Sequence, residues 1–317
     1  MDQNKKIPIV FSLYYDIVMG GVEELHPFDS KKYGKVFGYI SESLGIDEKQ
    51  TFSPESATED DLLMVHSKDY LVSLRNSENI AKIAEFEMLA SIPNDILQEK
   101  LIKSVKYATG GTILGCKLAL KYGWAMNLSG GYHHAKANEG GGFCFFADIP
   151  IGVFRTFEKN PDLSVLIVDL DAHQGNGYAS IFKDDPRVSI FDVYNQDIYP
   201  HDEAAKRYIR FHYPVSSGIG DDEYTTLIAS SIPEALKSAK PGLIIYIAGA
   251  DIFEDDTLGG MCISANGIQK RDEIVFSNAV AYGIPVLMVS GGGYAKETAT
   301  ITGTSIVHIL KNVVGSL

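Results

Sequence analysis

Short runs of consecutive apolar residues alternate along this chain with longer stretches of helical periodicity. Trp124 to Leu128, Ser164 to Val168, Arg187 to Phe191, Leu243 to Ala248 and Pro285 to Val289 read as strands. Several lack polar alternation, so both of their faces must be buried, as in the central strands of a parallel sheet. Between them the spacing predicts a helix from Pro93 to Gly123, with Gly110 and Gly111 as candidate break points. Further helices are predicted over Glu223 to Lys237, Ser264 to Tyr282 and Ala295 to Lys311. Strands alternating with helices predict an α/β fold with one doubly wound, mostly parallel central sheet and helices on both faces. No low-complexity linker or internal repeat interrupts the pattern, so residues 1–317 read as a single domain.

The ends of the apolar runs carry the chemistry. "AMNLS" runs into "GGYHHA", "VLIV" into "DLDAHQGNG", "LIIYIA" into "GAD" and "VLMV" into "SGGGY". Ligands bind outside the carboxyl ends of strands in such sheets. His133, His134, Asp169, Asp171, His173, Asp251 and Tyr294 are therefore expected on one edge. Carboxylates crowded at a strand end need neutralising, and a metal ion would do it. Asp171 and His173 are two apart, so an extended backbone would point both to one side, with Asp251 joining from a neighbouring strand. Two carboxylates and one imidazole leave a position for water, the pattern of a catalytic zinc site. Fe(II) or Co(II) suits the same donors. A two-manganese site of the arginase type shares the D-A-H run. Its extra carboxylates would fall at Gly175 and Phe253, which cannot coordinate, so one catalytic ion is expected.

Charge and cysteine usage narrow the picture slightly. The formal net charge of −13 suits a cationic substrate such as a lysine-rich peptide or a polyamine, and equally suits plain solubility. No Lys/Arg run forms a nucleic-acid footprint, which argues against direct DNA or RNA binding. Cys116, Cys144 and Cys262 are too widely spaced for a disulfide framework or a zinc finger, so a reducing, cytoplasmic location is expected, with nuclear or exported locations left open. The apolar piece of "MDQNKKIPIVFSLYYD" is too short for a membrane span and lacks a signal-peptide cleavage pattern.

"GGYHHAKANEGGGFCFFADIPIG", "VLIVDLDAHQGNG", "AGADIFEDDTLGGMCIS" and "SGGGY" resemble the zinc-dependent histone deacetylase family of the arginase/deacetylase fold. "PIVFSLYYD", "LHPFDSKKYGKV", "HQGNG" and "DVYNQDIYP" resemble its class IV branch. The resemblance runs from about Ile7 to Leu310. It implies removal of acyl groups from Nε-acyl-lysine of proteins or peptides. It assigns the zinc to Asp171, His173 and Asp251, the tandem histidines beside the attacking water to His133 and His134, and the donor to the substrate carbonyl to Tyr294. Gly142 and Phe143 fall at the family's acyl-lysine tunnel, Tyr199 at its opposite wall and Leu258 at the rim. A monovalent cation, K+, is implied near Asp169, Asp171 and His173.

One departure concerns the histidine partners. Asp169 is available for His133, but the place of the second carboxylate is taken by Asn176. An amide cannot favour an imidazolium as a carboxylate does, so His134 is expected as the neutral base and His133 as its cationic companion. His26 is expected to support a loop, His66 and His201 to lie at a helix end and in a loop, and Cys144 to be a packed thiol. The class IV resemblance further implies long fatty acyl groups as substrates. Gly140, Gly141 and Gly142 could leave space beside Phe143 for such a chain or serve only a tight turn. Other readings of the same residues are a small-molecule deacetylase acting on acetylpolyamines, and an acyl-lysine-binding protein with a dead site. The complete set of site residues argues against the last.

Overall fold

In the computed structural model, which describes residues 6–315, alternating side chains divide each strand between two cores. The strands are Ile9–Val10 (β1), Trp124–Asn127 (β2), Val165–Asp169 (β3), Val188–Asn195 (β4), Phe211–Val215 (β5), Leu243–Ile247 (β6) and Val286–Val289 (β7). They form one sheet in the order β1-β2-β7-β6-β3-β4-β5, with every pairing parallel. Leu166 and Val168 of β3 pack with residues of the helices Lys32–Leu44, Asp221–Ala239, Ala265–Tyr282 and Thr298–Asn312. Val165 and Ile167 point the other way, against Lys103–Tyr122, Asp148–Phe157 and Asn176–Ile181. This two-residue alternation between two helical layers is what makes the sheet doubly wound. A third apolar cluster, around Leu62, Tyr70, Ile80 and Leu97, joins short helices near residues 59–83 to the flank of the main body. The ends of the expected 1–317 domain, residues 1–5 and 316–317, lie outside the described residues.

Two strands, β1 and β5, add to the five expected, and several boundaries are corrected. β1 has two residues, too few to show a period. β5 is an edge strand containing His212 and Pro214, and an edge tolerates the missing N–H of proline. β4 continues to Asn195 instead of ending at Phe191. The Pro93 to Gly123 helix begins as Asn94–Leu97, passes through a π-turn over Gln98–Ile102 and continues as Lys103–Tyr122. Gly110 and Gly111 do not break it; they let the Glu55 backbone and the Tyr15 hydroxyl pack directly against the helix. The last helix starts at Thr298 rather than Ala295, and the N–H groups of Tyr294 and Ala295 before it donate to the Asp256 carboxylate. Among the described residues, no helix is long and apolar enough to cross a membrane.

Candidate active site

β2, β7, β6 and β3 are contiguous in the sheet, so the four polar exits converge at one edge. β3 stops at Asp169, and Asp171 to His173 form a bend rather than the expected extended backbone. The bend is tied by the His173 N–H, which donates to Asp171 Oδ1 at 3.0 Å. It still brings the side chains together: donor atoms of Asp171, His173 and Asp251 lie within 4.8 Å of one another, all three residues buried. His173 Nδ1 is 2.8 Å from Asp251 Oδ2 and 3.2 Å from Asp171 Oδ1. The Gly292 N–H donates to Asp171 Oδ2 at 2.7 Å and the Ala172 N–H to Asp251 Oδ1 at 3.0 Å, which orients both carboxylates. Burial, reinforced by Asp171, pushes the Asp251 carboxyl up to about 7. Two buried carboxylates and an imidazole whose donor atoms face one another are a set that fits one divalent cation.

No carboxylate stands where a second ion would need one. A Cβ added at Gly175 would fall on the Tyr178 ring, and the Tyr178 hydroxyl donates to Asp169 Oδ2 at 2.7 Å. Phe253 is a buried part of the core.

The tandem histidines have unlike partners. His133 Nδ1 lies 2.8 Å from Asp169 Oδ2, and its Nε2 is 3.7 Å from Asp171 Oδ1. Burial works against its charge, but Asp171 and Asp169 prevail and hold the imidazole up at about 9. His134 Nδ1 lies 2.9 Å from Asn176 Oδ1. The Asn176 amide is oriented by its own Nδ2, which donates to Asp202 Oδ2 at 3.2 Å. The carbonyl therefore faces His134, whose Nδ1 must donate, leaving Nε2 with a free lone pair. Burial, then His133 and His173, push the His134 imidazole well below its ordinary range.

Tyr294 is packed among rings, 5.9 Å from Phe143, 6.2 Å from Phe28 and 6.4 Å from His173 between centroids. Phe143, at φ +65°, also meets His26 at 4.8 Å. Tyr199 stands edge-on to His134 at 5.0 Å and faces Gly142, and it is 45% exposed. Leu258 is 36% exposed. His133, His134 and Tyr294 border an inner cavity of about 110 Å³, partly open to solvent, which is also lined by Ile17, Met19, Phe86, Leu89, Leu101 and Val105 among others. Its walls include Gly142 and Phe143 but not Tyr199 or Leu258. Of the three glycines proposed to open a channel, Gly140 packs against the Tyr70 hydroxyl and the Cys144 carbonyl, and Gly142 against His134. Of the three, Gly142 alone borders the cavity, and most of the apolar wall comes from other segments.

His26 and His66 hold backbone groups in place. His26 Nδ1 accepts from the Phe28 N–H at 3.0 Å, so its Nε2 donates to the Ala84 carbonyl at 2.9 Å. His66 is more deeply placed than a helix-end residue: its Nε2 accepts from the Ala147 N–H at 2.9 Å, and burial lowers it to about 4. His201 is exposed. Cys144 is buried and its thiol is pushed up by that burial.

Three supporting carboxylates or cations carried no sequence signal. Asp148 accepts from the Gly131 and Tyr132 N–H groups and from Thr112, fixing the histidine loop. Asp192 is fully buried next to Asp169, its Oδ2 accepting from the Gly175 N–H while Oδ1 has no hydrogen-bond partner. Lys32 is buried and donates to the Gly291 carbonyl at 2.9 Å. Only the crowding of acids around "DLDAH" hinted at such a need.

A family profile described as the histone deacetylase domain matches residues 26–310. Histone deacetylase 2 of Arabidopsis thaliana is 43% identical over 304 residues, covering 96% of this chain and 79% of that protein. Human histone deacetylase 1 is 26% identical over 258 residues, covering 77% of this chain and 52% of that protein. The crystal structure of the HDA15 HD domain superposes with a TM-score of 0.79 at 18% identity, covering 96% of this chain and 89% of that one.

Proposed function

The chain belongs to the histone deacetylase family, and from that membership we propose that it is a hydrolase that removes acyl groups from Nε-acyl-lysine of proteins or peptides. The observation that carries this reading is the convergence of Asp171, His173 and Asp251 with two unlike histidines and Tyr294 at one sheet edge. Asp171, His173 and Asp251 would hold one zinc ion, which when bound supplies Lewis acidity toward the amide carbonyl and toward water. The protein groups do the rest. His134 receives the water proton at Nε2, its Nδ1 proton being committed to Asn176. His133, backed by Asp169, holds the positive charge of the pair until a proton passes to the departing lysine amine. The Tyr294 hydroxyl donates to the carbonyl oxygen as negative charge develops there. Gly142, Phe143 and Tyr199 line the path of the lysine side chain and Leu258 stands at its rim.

Finer assignments follow from particular observations. The unpartnered Asp192 Oδ1 beside Asp169 supports a K+ ion near the backbone of Asp169, Asp171 and His173. Asn176 and the "DVYNQDIYP" run support the class IV branch. One sheet shared by all seven strands supports a single catalytic domain. The apolar inner cavity supports a long fatty acyl group, since each buried methylene contributes roughly 0.8 kcal/mol.

The test is release of free lysine side chain from matched acetyl- and myristoyl-lysine peptides, with and without a chelator. Chelator-sensitive hydrolysis, with higher kcat/KM for myristoyl, is expected. Faster turnover of an acetylpolyamine than of either peptide would replace the substrate class with a small molecule. Equal or faster hydrolysis of the acetyl peptide would reject the long-chain preference alone.

A further inference from the structure

Tyr294 follows three glycines, Gly291, Gly292 and Gly293, two of them at φ +67° and +131°. A glycine run gives little stiffness, so the placement of Tyr294 must be imposed from outside. The glycines are tied by Asp171 and Lys32, and the backbone of Tyr294 itself is held by Asp256, 7% exposed, in the loop after β6. Its Oδ2 accepts from the N–H of Tyr294 at 2.7 Å and of Ala295 at 3.2 Å. Its Oδ1 accepts from the N–H of Leu258 at 2.9 Å and of Gly259 at 3.2 Å. Four donors on one side chain require acceptors at both ends, which a carboxylate has and an amide lacks.

The other end of this strut is itself fixed. Gly259 lies so close to the backbone of Asp251 that an added Cβ would fall on the Asp251 carbonyl. The Gly259 carbonyl accepts from Asn195 Nδ2 at 2.9 Å. Asp256 thus joins the Tyr294 backbone to a segment locked against a proposed metal ligand, and to Leu258 at the proposed rim. We infer that Asp256 is a positioning residue that holds the Tyr294 hydroxyl at the reacting carbonyl and links it to the rim loop. The inference rests on the reading of Tyr294 as the carbonyl donor.

A carboxylate that merely caps the start of the Thr298–Asn312 helix would affect stability without regard to Tyr294. A double-mutant cycle separates the two roles. Steady-state kcat and KM on an acyl-lysine peptide are measured for the metal-loaded parent, Asp256→Asn, Tyr294→Phe and the double variant. Asp256→Asn is expected to lower kcat about 10- to 100-fold, the range found for groups that orient active-site residues, with KM changed less than about threefold. In the Tyr294→Phe background the same change should cost less than about twofold more, because there is no hydroxyl left to place. Equal losses in both backgrounds would overturn the inference and leave the Tyr294 reading intact. Near-normal turnover of Tyr294→Phe alone would overturn that reading and the inference with it. Should Asp256→Asn fail to fold or to hold metal, Asp256→Glu, which keeps both acceptors on a longer arm, is read in the same cycle with the same outcomes.

Discussion

Asn176 illustrates how one atom sets the state of a neighbour. Its carbonyl oxygen makes His134 donate from Nδ1, and burial with His133 and His173 keeps that ring neutral. Asn176→Asp would place a carboxylate there and favour the imidazolium, raising the pKa of the proposed base. A larger share of the enzyme would then be protonated, and inactive as base, at neutral pH. The acid limb of the pH–kcat/KM profile should therefore move upward; an unmoved or lowered limb would remove Asn176 from its role beside the base. The pairing of Asp169 with His133 and of Asn176 with His134 was legible only through the family resemblance, which supplies a partner position for each histidine. Tyr178 and Asp192 were not. Their contacts with Asp169 and with Gly175 depend on how a turn folds back over a strand, which spacing does not encode.

Among the elements, those with a complete apolar period were legible: β2, β3, β6, β7 and the later helices. What escaped was the inner cavity, whose walls come from segments near residues 17–33 and 84–105, joined to the sheet edge only by tertiary packing. Val105, 4% exposed on the Lys103–Tyr122 helix, forms part of that wall. Val105→Phe would fill space that a long chain uses and an acetyl group does not reach. Excluding two or three methylenes forfeits about 0.8 kcal/mol each, or roughly a 10- to 60-fold loss in kcat/KM for a myristoyl peptide. Acetyl-lysine hydrolysis should change little and also reports that the variant is folded. A parallel loss on both peptides would place the acyl chain outside this cavity.

For the whole molecule, the adjacency of β3 and β6 makes the proposed metal ligands a clasp between strands distant in sequence. A metal bound there stabilises the folded state alone. At a free concentration of 100 times Kd this amounts to about 2.7 kcal/mol. Thermal unfolding of stripped protein titrated with zinc should show a rising Tm that saturates at one tightly held divalent ion per chain. An unchanged Tm, or saturation at two such ions, would contradict a single closed site. The packing of Tyr178 over Gly175 bears on that count in another way. An acidic side chain introduced at Gly175 would meet the tyrosine ring before it met an ion, and shrinking Tyr178 alone would cost Asp169 one of its donors and leave the core with a hole. Each half of the exchange is harmful by itself. A chain with this packing is thus separated from a second metal's carboxylate at position 175 by a valley that single substitutions descend into.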